Sequence, residues 1–117
     1  MSEVRTLSQG STSDLAALRA WAAKWIESAP ANETGALSWE MFIDERAGKV
    51  TFIETWASPE DFGKHFQHLT SSGQLETLLQ VYKLEQITFL TPVTEELQPI
   101  VDQLQALTMD KAAEYAS

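Results

Sequence analysis

The chain of 117 residues contains no cysteine. That absence excludes a disulfide framework, a thiolate nucleophile and any metal site built on thiolates, and it suits a reducing compartment. Cations are scarce too: eight Lys and Arg face seventeen Asp and Glu, a formal charge of −9. Such a balance repels phosphate backbones and anionic bilayers, so neither nucleic acid nor a membrane is an expected partner. An acidic surface also keeps a protein dispersed in water, which explains the charge without any specific cationic partner. Long apolar runs are missing as well, so no segment is expected to span a bilayer. The first residues move through Glu3 and Arg5 into the polar stretch 9–13, without the apolar core of a signal peptide, and a cytoplasmic location is the expectation. No low-complexity tract divides the chain, so residues 1–117 are expected to form a single domain, with a core over about 4–92 and a helical extension over 93–117.

What is present is a strong alternation of periods. Residues 4–9 read as a short first strand. Ser11, Thr12, Ser13 and Asp14 then offer helix-capping oxygens, and Leu15, Leu18, Trp21, Ala22, Trp25 and Ile26 recur at helical spacing. Pro30 is expected to stop that helix, because its ring removes an N–H and clashes with the preceding turn. From Ala36 to Asp44 the period becomes two, with Leu37, Trp39, Met41 and Ile43 on one face. Residues 45–48 make a turn, and a second strand follows with Val50, Phe52, Glu54 and Trp56 on one face, so the two pair as a hairpin. Ser58, Pro59, Glu60 and Asp61 are a helix start: a capping hydroxyl, proline in the first turn and acids beside the free N–H groups. Phe62, His65, Phe66 and Leu69 form the stripe of this helix. A break at residues 71–73 precedes a short turn carrying Leu75, Leu78 and Leu79, and residues 82–91 read as the last strand. A helical stretch begins at Thr94 and restarts near Gln98, since Pro99 suits a first turn and not an interior. Residues 112–117 are expected to fray.

The order is β-α-β-β-α-β with a C-terminal helix. This predicts an α+β fold, a ferredoxin-like split β-α-β antiparallel sheet with helices on one face. The other sheet face needs its own cover. A second copy of the same sheet supplies it, which predicts a homodimer and, between its layers, a dimeric α+β barrel.

Gly35, Leu37, Trp39, Glu40 and Phe42, followed by Phe52, Glu54, Trp56, Ser58, Glu60, Phe62 and His65, resemble the pattern of the antibiotic biosynthesis monooxygenase family. That pattern has a glycine-led strand with an aromatic-Glu pair, then Glu-x-Trp-x-Ser and a helix bearing a histidine. The match is strong over roughly the middle third of the chain. The resemblance implies an oxygenase of quinols, anthrones or related phenols that needs neither metal nor flavin. There the deprotonated, electron-rich substrate reduces dioxygen itself, while the protein excludes water, orients the ring and accepts a proton. No cofactor and no metal are therefore expected.

Glu54 stands on one strand face with Phe52 and Trp56, where burial raises a carboxyl pKa and suits it to act as a base toward a phenol. The competing reading is an ion pair with Lys49, Arg46 or a partner-chain cation. His65 sits inside an apolar stripe, which suits a proton shuttle or a hydrogen-bonded structural histidine. Trp39, Met41, Phe52, Trp56, Phe62 and Phe66 are the candidate contacts for a flat ligand, or simply core. Asp61, His65 and His68 share a helical arc that can face a cation, but Asp61 already serves the helix start.

Three functions are open at this level. The first is a cofactor-independent monooxygenase with Glu54 and His65 as catalytic groups and a small aromatic ligand. The second is a non-catalytic ligand-binding or interaction module on the same fold. Haem binding is the third. The haem-degrading relatives carry an asparagine on the first strand and a late histidine, where this chain has Thr6 or Ser8 and Leu75, which counts against iron ligation.

Overall fold

In the computed structural model, which describes residues 2–117, the alternating periods become β1 (Val4–Ser11), α1 (Leu15–Asn32), β2 (Ala36–Asp44), β3 (Lys49–Trp56), α2 (Pro59–Ser71), α3 (Gln74–Val81), β4 (Lys83–Phe89), α4 (Gln98–Leu104) and β5 (Leu107–Thr108). The sheet runs β2-β3-β1-β4-β5. Its first four strands are antiparallel neighbours, and β5 pairs parallel to β4. This is the ferredoxin-like order with one short strand added. The sheet of one chain stays open and does not close on itself, so a barrel would require a second copy.

Alternation along the strands decides which side chains meet the helices. Val4, Thr6 and Ser8 of β1 oppose Trp56, Glu54 and Phe52 of β3, and Trp39 and Met41 of β2 oppose Glu54 and Phe52. All of these point to the helical layer. There Trp25 of α1, Phe62 and Leu69 of α2, and Leu97 and Val101 at α4 share one buried cluster with Val4, Trp56, Ile87 and Phe89. A second cluster joins Leu18, Leu78 and Tyr82 to Val50 and Phe52 at the other end of the sheet. Burying side chains of this size yields roughly 1.5–3 kcal/mol each. On the opposite face Leu7, Thr51, Ile53 and Thr55 are only half-buried. Phe42 remains 49% exposed and Leu37 56%.

The caps follow the residue chemistry. Asp14 accepts the Ala17 N–H at 3.0 Å, and Ser58 accepts the Asp61 N–H at 3.1 Å. Several expectations need correction. Pro30 does not end α1 but lies in its last turn. Its missing N–H frees only the Ile26 carbonyl, and because Ile26 and Pro30 both face solvent, water can satisfy it. Ile26 accordingly leaves the apolar stripe. Leu37 falls at a register shift between Ala36 and Ser38, which takes it off the Trp39 face. Residues 95–97 form a turn and not a helix, and β5 was not foreseen. No helix among the described residues is long and apolar enough to cross a membrane.

Candidate functional site

Between the sheet and the helices lies a cavity of about 90 Å³. Thr6, Ser8, Trp39, Phe52 and Glu54 form its floor, and Trp21, Trp25, Phe62, His65 and Phe66 form its walls. Leu75, Leu78 and Leu79 of α3 close it. Leu79 is also half exposed to solvent, so α3 stands between the cavity and the outside.

Six of the eight expected site residues line this space together: Glu54, His65, Trp39, Phe52, Phe62 and Phe66. Met41 and Trp56 do not. Met41 packs with the Val50 cluster toward the far end of the sheet. Trp56 lies behind the histidine, its ring stacked on His65 with centroids 4.1 Å apart. Its indole Nε1–H donates to Glu54 Oε1 at 3.1 Å. Trp56 therefore backs Glu54 and His65, and at 1% exposure it offers no face for a ligand to stack on.

Neither alternative within the chain, Lys49 or Arg46, is the partner that Glu54 uses among the described residues. Lys49 reaches Glu85, while Glu54 Oε1 lies 3.5 Å from His65 Nε2. The Glu54 side chain is 14% exposed and that of His65 5%. Burial pushes the Glu54 carboxyl above the ordinary carboxylate range. The neighbouring imidazole and the Trp56 hydrogen bond pull it partly back, and Glu33 pushes it up again.

Glu33 is the member of this cluster that the sequence did not single out. Its side chain is 3% exposed, and Glu33 Oε2 lies 3.1 Å from His65 Nδ1. The imidazole thus bridges two buried carboxylates, one at each nitrogen. Glu33 follows α1 directly, in the loop that leads to β2. Gly35 explains how it gets there: a Cβ at that position would lie 2.3 Å from Asp61 Cγ. The loop can therefore run tight against the first turn of α2, and His65 sits one turn further along. The only sequence hint is the glycine itself, two positions after an acid.

Asp61 is engaged with Ser58, whose hydroxyl donates to Asp61 Oδ2 at 2.8 Å. Among the described residues, no three His, Asp or Glu side chains converge as a metal ion would need. The arc of Asp61, His65 and His68 therefore does not form a site.

No family model matches the chain, and no curated protein matches it in sequence. Solved structures do match. MupZ from Pseudomonas fluorescens superposes with a TM-score of 0.80 at 12% identity, over 100% of this chain and 96% of its own. SnoaB, a cofactor-independent oxygenase from Streptomyces nogalater, gives 0.66 at 12% identity over 80% and 96%. A structure described as an antibiotic biosynthesis monooxygenase gives 0.61 at 15% identity over 78% and 99%. With its strand order, its helix layer and these neighbours, the chain has the fold of the antibiotic biosynthesis monooxygenases.

Proposed function

We propose that the protein is a cofactor-independent monooxygenase acting on a small phenol or quinol. The observation that supports this most is Glu54: a carboxyl with a raised pKa, in contact with a histidine, on the floor of a cavity lined mainly by aromatic and aliphatic groups, with the hydroxyl residues Thr6, Ser8 and Tyr82 among them. A base for a phenol works best when its own pKa approaches the working pH, and burial moves Glu54 in that direction. Deprotonation leaves a phenolate that transfers one electron to dioxygen. The resulting radicals combine at a ring carbon to give a peroxide. Loss of the ring C–H proton and cleavage of the O–O bond then leave a carbonyl and release water. The substrate gives up two hydrogens, keeps one oxygen atom and sends the other out as water. Glu54 and His65 take the first proton and return it to the departing oxygen. Trp39, Phe52, Phe62 and Phe66 hold the ring and exclude water.

The cavity size bears on the substrate. An apolar cavity of about 150 Å³ accepts benzene, so a space of about 90 Å³ admits a single ring only if α3 yields. One-ring substrates fit this reading better than three-ring anthrones. Two further proposals complete it. Two chains pack through the exposed sheet face as a homodimer, and the enzyme works in the cytoplasm.

Oxygen uptake by the purified protein with a panel of one-ring phenols, quinols and anthrones tests the activity. We expect uptake with at least one of them, falling by about 100-fold or more in Glu54→Gln and His65→Ala. Equal uptake by wild type and both variants would leave the fold serving only as a binding module.

A further inference from the structure

The imidazole of His65 has a carboxylate at each nitrogen, and the two are not equivalent. Glu33 Oε2 lies at hydrogen-bond distance from Nδ1, 3.1 Å, while Glu54 stands off Nε2 at 3.5 Å. A carboxylate only accepts, so the close contact to Glu33 requires a proton on Nδ1. That leaves Nε2 free to exchange a proton with Glu54. Glu54 is on the cavity wall and Glu33 is not, so one carboxylate meets the ligand while the other sits behind the histidine.

We propose that Glu33 is a positioning residue: its carboxylate fixes the His65 ring with Nδ1 protonated and Nε2 turned to Glu54, so that the imidazole stores the proton drawn from the ligand. This deepens the reading of the site as a proton-abstracting one and rests on it. The proton passes from the ligand hydroxyl to Glu54 and on to Nε2. The imidazolium that forms keeps its Nδ1–H on Glu33, whose negative charge offsets the new positive one. The same proton then returns by Nε2 and Glu54 to the reduced oxygen, so the dyad ends as it began. Trp56 stacked on one side, with centroids 4.1 Å apart, and Trp25 edge-on at 6.1 Å keep the ring from turning over. Among the described residues, Glu33 from the α1–β2 loop and Glu54 from β3 are the carboxylates paired with this ring.

Nitrogen-15 NMR of the two histidines in the intact protein reads the assignment directly, with activity measured in parallel. We expect the neutral form of wild-type His65 to carry its proton on Nδ1. Glu33→Gln should move the neutral tautomer toward Nε2–H, since an amide can donate to Nδ1. Oxygen uptake in Glu33→Gln should fall by roughly 100- to 10,000-fold, the range typical of general acid-base groups, and its pH profile should change. Glu33→Asp should restore the Nδ1–H tautomer in part, along with a fraction of the rate. If Glu33→Gln fails to fold, wild type and Glu33→Asp carry the test. An Nε2–H tautomer in wild type, or a tautomer unmoved by Glu33→Gln, would overturn the assignment. The NMR signature without oxygen uptake on any substrate would sink the monooxygenase reading and leave the Glu33 assignment standing.

Discussion

Glu54 carries opposing demands, because burial disfavours its charge while the proposed proton abstraction requires it. Its pKa is raised, so the group stabilises the fold most fully below its ordinary value of 4.5 and loses that contribution as pH rises through the higher folded-state value. Glu54→Gln keeps the shape and can still accept from Trp56, but it does not titrate. Denaturant melts of both proteins should therefore diverge across that interval. Wild type should weaken relative to the variant by at most about 1.4 kcal/mol per pH unit. A constant difference across pH would contradict the burial argument. Trp56→Phe tests the neighbour: it keeps a ring beside His65 and removes the Nε1–H that holds down the Glu54 pKa. The rising limb of rate against pH should then move to higher pH, and an unmoved limb would mean the hydrogen bond does not tune the base.

Two glycines separate steric need from backbone need at the level of elements. Gly35 lets the start of β2 lie against α2, and a methyl there would overlap the Asp61 side chain. Gly73 begins α3 at a φ of +82 with nothing within 4 Å of an added Cβ. Gly73→Ala should thus cost only the backbone penalty, about 1–2 kcal/mol, with activity retained. Gly35→Ala should cost roughly 1–3 kcal/mol from overpacking and should also depress oxygen uptake, because the loop it displaces carries Glu33. Equal activity in the two variants would show that the loop tolerates the shift. The strands and the two long helix starts were legible because each is a local pattern: period two, period 3.6, or a capping sequence. Glu54 and His65 each stood out singly on an apolar face, but their contact depends on how α2 packs on β3, which no local pattern gives. Glu33 was not legible, since its partner is 32 positions away and its burial depends on Gly35 and on Pro30 leaving α1 intact. The two-residue β5 was hidden for a similar reason. Its pairing is made by β4, and nothing in Leu107 or Thr108 by themselves indicates it.

For the molecule as a whole, the helices leave one sheet face bare. Glu40, Ile53 and Leu7 lie across it in register, and Phe42 adds exposed apolar surface. If two copies meet there, Ile53→Lys should convert a dimer to a monomer in light scattering, because it places a cation at the centre of the contact without touching the cavity face. A mass unchanged by this variant would locate the contact elsewhere. A single-chain mass in the wild type would remove the dimer altogether.

The aromatic lining also makes the protein its own optical reporter. Trp25 and Trp39 are stacked with centroids 4.5 Å apart, close enough for their excited states to couple and give a paired band in the circular dichroism spectrum. Trp56 rests on an imidazole whose charge state governs quenching of indole emission. Filling the cavity would disturb the first signal, and moving the proton would disturb the second. Ligand entry and proton transfer can therefore be timed separately in the unlabelled chain.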